Sequence, residues 1–153
     1  KNKVQALNST LLKICLTNLT NSMFSHIKTS KVNKEIVTEL TNKLSLGTEN
    51  IISRIALAYS LSLSKKLDIN NIEDSNGKEY SSKVLFGDYA EYYGGMLAMN
   101  YKVHISDKDL SKYAKMHIDH GLQLLNQEIN EQGNIDGFDF LIEKIENSLI
   151  VTV

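Results

Sequence analysis

Apolar residues recur every three or four positions through most of the chain, the spacing that places them on one face of a helix. The pattern predicts amphipathic helices over residues 4–19, 31–44, 49–63, 86–101, 110–125 and 138–149. Residues 23–29 form a shorter segment with β-branched members, which favours a brief strand or an extended arm. We therefore expect an all-α protein, a compact bundle of four to six helices with one short strand or arm near its N-terminus.

Glycines and capping residues mark several of these boundaries. Gly47 suits the left-handed residue that closes a helix. Ser106, with Asp109 three residues later, resembles a capping box ahead of the helix that begins near residue 110. Gly94 and Gly95 lie inside a predicted helix, where each glycine costs about 1 kcal/mol relative to alanine. We expect this pair to mark the close approach of another helix backbone, in the core or at a subunit interface.

Composition narrows the class of protein. The chain has 153 residues, of which 42% are hydrophobic and 23% charged, as in an ordinary globular domain. No apolar run approaches the roughly 20 residues of a membrane-spanning helix. The single cysteine, Cys15, cannot form an internal disulfide or a Cys-rich zinc site. With no secretion signal in the sequence, we expect a cytoplasmic protein that has no membrane partner.

The net charge of −1 conceals an uneven distribution along the chain. Residues 1–70 carry ten basic and four acidic side chains, a balance of +6, whereas residues 71–153 carry seven and fourteen, a balance of −7. A split of this size indicates an electrostatic face that could meet a polyanion. The alternative is chance, together with a composition rich in asparagine, lysine and isoleucine.

Five basic residues lie from the predicted arm, residues 23–29, to the helix predicted over residues 49–63. They are Lys28, Lys31, Lys34, Lys43 and Arg54. The first three are spaced by three residues, which gathers them on one side of an arm–helix junction. Cations on one surface can bind a phosphate backbone by releasing condensed counterions. Since aromatic stacking residues are absent from this region, duplex DNA is the better candidate; the alternative is a solvated helix face.

Candidate catalytic and metal-binding residues are few. His117 and His120 lie on one helical face and, with Asp119 or Asp88, could bind a metal. Asp88 and Glu91 lie one turn apart and could perform acid–base chemistry. Hydrogen-bonded core histidines and solvated carboxylates explain both sets more simply. We therefore predict no catalytic residue, no metal and no cofactor.

Two further motifs have ordinary interpretations. Residues 132–143 resemble a calcium-binding loop, but Gln132 stands where the first carboxylate belongs, which favours a helix–helix turn. Cys15 lies on the apolar stripe of its predicted helix, which is typical of an inert buried thiol.

The chain resembles a known family in three segments that occur in order. The first is FSHIKTSKVNKEIVTELTNKLSLGTENIISRIALAYSLSL from residue 24, and the later ones are FGDYAE from residue 86 and HIDHG from residue 117. Together they resemble DndE, the small helical protein of bacterial DNA phosphorothioation systems. The resemblance covers about residues 24–126. It divides the chain into an added N-terminal helix (1–22), a DndE-like domain (23–126) and a C-terminal helical extension (127–153).

The resemblance implies an oligomer, expected to be a tetramer, that binds duplex DNA with a preference for nicks and associates with other sulfur-modification proteins. The arm and two helices also resemble a ribbon-helix-helix DNA-binding unit, as a fold-level analogy. On this hypothesis the five basic residues hold phosphates, and Asn33 or Asn50 adds neutral contacts. The family's basic turn between its first two helices is reduced here to one cation, Lys43 within residues 42–47.

Two alternatives follow from that reduced turn and from the acidic second half. One is a protein-interaction scaffold of the same modification complex, which has kept the fold without its DNA-binding surface. The other is a nicking enzyme that uses Asp88, Glu91 or His117.

Overall fold

The computed structural model describes residues 23–133 and 135–150, with side chains described as far as residue 147. The helix predicted over residues 4–19, Cys15 and the end of the C-terminal tail therefore lie outside the described residues. Within that part of the chain the fold is mostly α-helical, which confirms the predicted class. No helix there is long and apolar enough to cross a membrane.

Eight elements make up the described fold. In chain order they are β1 (Ile27–Lys28), α1 (Lys31–Leu44), α2 (Glu49–Ser62), β2 (Glu79–Tyr80), α3 (Ser82–Phe86), α4 (Ala90–Tyr101), α5 (Leu110–Gln132) and α6 (Gly137–Ile150). Short 3-10 turns cover Ile69–Asn71 and Gly87–Tyr89. The helices predicted over residues 31–44, 49–63 and 138–149 match α1, α2 and α6 closely, because each has a clear apolar stripe.

The N-terminal arm forms half of a two-stranded antiparallel sheet. Ile27 pairs with Tyr80, and Lys28 pairs with Glu79. Side chains alternate between faces along a strand, so Ile27 and Tyr80 are buried while Lys28 and Glu79 are exposed. The sequence did not predict β2, because two residues within a polar segment carry no detectable alternation. The sheet brings the acidic half of the chain beside the basic arm.

The core is built on α2 and α5, which run in opposite directions. Ala56 lies against Gly121, and the Ser60 hydroxyl lies 2.7 Å from Nδ1 of His117. A β-carbon at Gly121 would lie 2.0 Å from the carbonyl oxygen of Ala56, so only glycine fits there. This contact is the close helix approach that we expected at the Gly94-Gly95 pair.

The Gly94-Gly95 pair has a different setting. A β-carbon at Gly94 would meet Sδ of Met23, which is a side chain rather than a helix backbone. A β-carbon at Gly95 would have no atom of the described chain within 4 Å. Nothing that the structure describes therefore requires glycine at residue 95.

Three local predictions are corrected by the structure. Gly87, with a φ of 56°, ends α3 and divides the helix that was predicted over residues 86–101. Ser45, with a φ of 52°, takes the left-handed position after α1 that was assigned to Gly47. The predicted capping box does not form, because the Ser106 hydroxyl bonds Nδ1 of His104 at 2.7 Å.

The long helix α5 runs without interruption from Leu110 to Gln132. The domain boundary predicted at residue 126 falls inside this helix. Among the described residues, α5 ends at the turn containing Gly133, whose φ is 79°, and α6 follows it.

We expect Gly121→Ala to destabilise the fold by about 1–3 kcal/mol or more, because the added methyl group would overlap the Ala56 carbonyl oxygen. Urea denaturation followed by circular dichroism measures the change. The control is Gln127→Ala on the exposed face of the same helix, which we expect to change stability by less than about 0.5 kcal/mol. Equal effects of the two substitutions would contradict the close packing of α2 on α5.

Candidate nucleic-acid interface

Three of the predicted phosphate contacts lie together where β1 leads into α1. Lys28 is on the exposed face of β1, and Lys31 and Lys34 are exposed in the first turn of α1. Residues three apart on a helix are neighbours on its surface, so the local fold gathers these ammonium groups as the spacing predicted. We call Lys28, Lys31 and Lys34 the basic cluster.

Carboxylates from the second half of the chain lie beside this cluster. Glu79 accepts hydrogen bonds from Nδ1 of His26 at 2.8 Å and from Nζ of Lys28 at 3.2 Å, and these bonds lower the pKa of the Glu79 carboxyl. Oδ1 of Asp74 accepts a bond from the backbone N–H of Lys31 at 2.9 Å. Backbone bonds from Asn76 and then Lys31 lower the pKa of Asp74. The surface is therefore mixed in charge.

A fourth cation near the cluster was missed by sequence reasoning. Nζ of Lys78 lies 3.0 Å from Oε2 of Glu49, whose Oε1 also accepts a bond from the Thr38 hydroxyl at 2.6 Å. Burial alone would raise the pKa of Glu49, but the bonds from Thr38 and Lys78 lower it overall. Thr38 lies one helical turn after Lys34. The sequence did not indicate Lys78, because it belongs to the acidic half of the chain. Only the pairing of β1 with β2 brings it near the basic cluster.

Lys43 lies apart from the basic cluster, near the other end of α1. Twelve residues of helix separate it from Lys31, a rise of about 18 Å. Its ammonium group lies 2.6 Å from Oε1 of Glu39 and donates to Oδ1 of Asn130 at 2.8 Å. Lys43 therefore does not extend the cluster.

Arg54 and Asn50 occupy one face of α2, one turn apart. Nδ2 of Asn50 donates to the backbone carbonyl of Val84 at 3.0 Å, and its Oδ1 accepts a bond from the Thr48 hydroxyl. The bond to Val84 joins the start of α2 to α3. Arg54 is partly exposed, and among the described residues no ion pair involves it.

The structure does not support Asn33 as a phosphate contact. Its side chain is fully buried, and Nδ2 donates to Oδ1 of Asp119 at 2.6 Å. The same carboxylate oxygen accepts the backbone N–H of Ser30 at 2.9 Å, while Oδ2 accepts Nζ of Lys115 at 2.7 Å. Asn33 therefore has a structural role: it fixes the start of α1 on α5.

The Asp119 carboxylate and the Lys115 ammonium group form a buried ion pair, with 5% and 6% of their side chains exposed. Burial raises the pKa of Asp119, and the bonds from Lys115, Ser30 and Asn33 offset part of that effect. Since a buried charge is costly without partners, these donors must stay in place. The network thereby sets where the neighbouring lysines of α1 reach the surface.

His117 and His120 join one hydrogen-bond network through the Ser60 hydroxyl. The Ser60 hydroxyl lies 2.7 Å from Nδ1 of His117 and 2.8 Å from Nδ1 of His120. Nε2 of His117 lies 3.0 Å from the Tyr101 hydroxyl. Within the described ranges no three His, Cys, Asp or Glu side chains are grouped to hold a metal ion.

The three residues proposed for a nicking enzyme, Asp88, Glu91 and His117, differ in their exposure to solvent. Asp88 and Glu91 are exposed around the start of α4, whereas His117 is fully buried. Only the two carboxylates could therefore meet a substrate at the surface.

Among the described residues, the basic and acidic halves of the sequence are not separated in space. Glu79 and Asp74, from the acidic half, contact Lys28 and the backbone of Lys31 from the basic half. Lys78 of the acidic half pairs with Glu49 of the basic half. The cluster therefore consists of local cations set among carboxylates.

The family model described as "DNA sulphur modification protein DndE" matches residues 26–132. No curated protein matches the chain. A solved structure, described as the crystal structure of DndE from Escherichia coli B7A involved in DNA phosphorothioation modification, is similar with a TM-score of 0.54. Its sequence is 19% identical, and the match covers 65% of this chain and 95% of that one.

We expect the buried imidazole of His117 to make stability fall in mild acid. Burial, followed by the influence of His120, lowers its pKa from 6.5 to about 4. Between pH 6.5 and about pH 4, His117 is protonated in the unfolded chain but stays neutral in the folded chain. The free energy of unfolding therefore decreases as pH falls. The limiting slope for one proton is about 1.4 kcal/mol per pH unit.

Urea denaturation at pH 7, 6 and 5 measures this slope. His117→Gln should be less stable at pH 7, because it loses bonds, but should show a shallower decline toward pH 5. Gln127→Ala, on the exposed face of the same helix, removes no titratable group, and this control should keep the wild-type slope. A wild-type slope in His117→Gln would contradict the assignment.

Proposed function

Because the chain belongs to the DndE family of DNA sulphur modification proteins, we propose that it is a DNA-binding subunit of a phosphorothioation system. In this proposal it binds duplex or nicked duplex DNA through backbone phosphates. The basic cluster, Lys28, Lys31 and Lys34, is the observation that carries the proposal. Phosphate contacts position a protein on DNA without reading sequence, so we propose binding with little base preference.

The proposal ranks the candidate contacts by their surroundings. Lys31 and Lys34 come first, since no ion pair within the described ranges occupies their ammonium groups. Lys28 ranks lower, because its ammonium group already pairs with the Glu79 carboxylate. Arg54 forms a second, separate point of contact on α2, with Asn50 beside it. Lys43 contributes least, because Glu39 and Asn130 already hold it.

The proposed subunit is not an enzyme, has no cofactor and works in the cytoplasm beside other sulfur-modification proteins. It acts as an oligomer, which we expect to be a tetramer. Oligomerisation would compensate for a mixed-charge surface, since several weak contacts on one DNA molecule bind far more tightly than one.

A plasmid assay tests whether the chain is an enzyme. A supercoiled plasmid should remain intact with the purified chain and divalent metal. Nicking that disappears in Glu91→Gln would instead support catalysis.

A scaffold without DNA contact is the second candidate. The carboxylates of Asp74 and Glu79 beside the basic cluster favour it, because they reduce the local positive potential. This candidate predicts normal assembly with the modification complex and no salt-dependent binding of DNA.

Replacing the basic cluster tests the DNA-binding proposal. The triple variant Lys28→Gln, Lys31→Gln, Lys34→Gln should weaken binding to intact and nicked duplexes in fluorescence anisotropy. If each lysine neutralises one phosphate, the dependence of log affinity on log salt should flatten by about 2.7. Lys65→Gln, Lys66→Gln, Lys108→Gln removes the same charge at exposed positions elsewhere and is the control. An equal loss in both triples would contradict the assignment, and absence of binding by the wild-type chain would favour the scaffold.

Removing a neighbouring carboxylate should have the opposite effect. In Glu79→Gln the amide no longer pairs with Lys28 or His26, so the local potential becomes more positive. We expect duplex affinity to rise several-fold at low salt and the increase to shrink as salt screens the charges. Glu146→Gln on α6 makes the same change in net charge away from the basic cluster. Comparable gains in both variants would indicate a general charge effect.

A further inference from the structure

The helix α4 is apolar on two sides, although only one side meets the core. Its inner face contains Ala90, Gly94, Leu97 and Ala98, all buried. Its outer face contains Tyr92, Met96 and Met99, which are 71%, 43% and 81% exposed. A helix that is apolar all round is normally buried on all sides. The outer face of α4 therefore has the composition of a contact surface.

Gly95 lies on this outer face and has no explanation within the described chain. A β-carbon there would have no described atom within 4 Å, and its φ is an ordinary helical one. Glycine in a helix interior costs about 1 kcal/mol relative to alanine. A glycine at such a position usually allows another backbone or a bulky side chain to approach the helix closely. The position therefore points to a partner that fills the gap.

The sequence of α4 is complementary to itself when read in the opposite direction. If a second α4 lies antiparallel with its two-fold axis between residues 95 and 96, Tyr92 faces Met99 and Gly95 faces Met96. Each Met96 side chain then enters the gap left by the other copy's Gly95. Each Met99 meets a tyrosine ring, a favourable sulfur–aromatic contact.

The charges at the ends of α4 agree with the same arrangement. Asp88 and Glu91 are exposed around its N-terminal end, and Lys102 follows its C-terminal end and is also exposed. Among the described residues, none of the three belongs to an ion pair. An antiparallel pair of helices brings these carboxylates toward Lys102 of the other copy at both ends. Tyr89, 59% exposed, lies beside Tyr92 with the two ring centroids 6.2 Å apart, and it widens the same patch.

We propose that the outer face of α4 is an isologous interface with a second copy of this chain, centred on Gly95 and Met96. The inference deepens the oligomer part of the proposed function and names its surface. The other exposed apolar stripe, with Phe138 and Ile142 on α6, is less suited to self-association. Asp139, Glu143 and Glu146 border it, and Lys144 is held by Glu128 at 2.6 Å, so two copies would oppose like charges.

Sedimentation and light scattering of the full chain across a concentration series test this interface. Met99→Glu should raise the dissociation constant of the pair by at least about tenfold, since symmetry places the new charge in the interface twice. Because Met99 is exposed, the circular dichroism spectrum should not change. The control is Ile142→Glu on α6, which should associate like the wild type. Unchanged association of Met99→Glu, or dissociation in Ile142→Glu alone, would overturn the proposal.

Disulfide trapping tests the register independently. In a Cys15→Ser background, Met96→Cys lies next to the two-fold axis and should form a disulfide-linked dimer under mild oxidation. Ile142→Cys in the same background should remain monomeric on a non-reducing gel. Absence of the Met96→Cys dimer would overturn the interface while leaving DNA binding, measured separately by anisotropy, untouched. A monomeric wild-type chain would remove both the oligomer and its interface.

Discussion

The buried carboxylate of Asp119 connects the start of α1 to α5, and the position of the basic cluster depends on this connection. It receives hydrogen bonds from Lys115 on its own helix, from the backbone of Ser30 and from Asn33 in the first turn of α1. Removing one partner from a buried ion pair typically costs about 3–5 kcal/mol, whereas the intact pair adds little net stability. The network therefore gives specificity more than stability. It fixes one packing position for the first turn of α1 on α5. In that position Lys31 and Lys34 lie at the surface.

The same packing explains why the basic cluster is surrounded by carboxylates. Pairing of β1 with β2 carries Glu79 to Lys28, and the loop before β2 carries Asp74 to the N-terminus of α1. A surface of this kind holds the Lys28 ammonium group beside Glu79 and has a lower positive potential than a purely basic patch. Weak phosphate contacts repeated by symmetry, as proposed through α4, would then supply affinity that a single copy lacks.

Sequence periodicity was a good guide wherever one face of a helix is buried. The boundaries of α1, α2 and α6 follow directly from their apolar stripes. Asn33 was misjudged because lysines flank it, although it shares a stripe with Val37, Leu40 and Leu44, all buried. That spacing was a usable signal of burial. The pairing of β2, the contact between Gly121 and Ala56 and the mixing of the two charge halves depend on tertiary packing, which no local pattern encodes.

The central claim is that one surface, around Lys28, Lys31 and Lys34, contacts duplex DNA. Acetylation of lysines with and without saturating duplex, read by mass spectrometry for each residue, tests it most directly. The account predicts that these three ammonium groups are protected while the exposed Lys65, Lys66 and Lys108 react as before. Protection of the second set instead, or equal reactivity of all six with and without DNA, would contradict it.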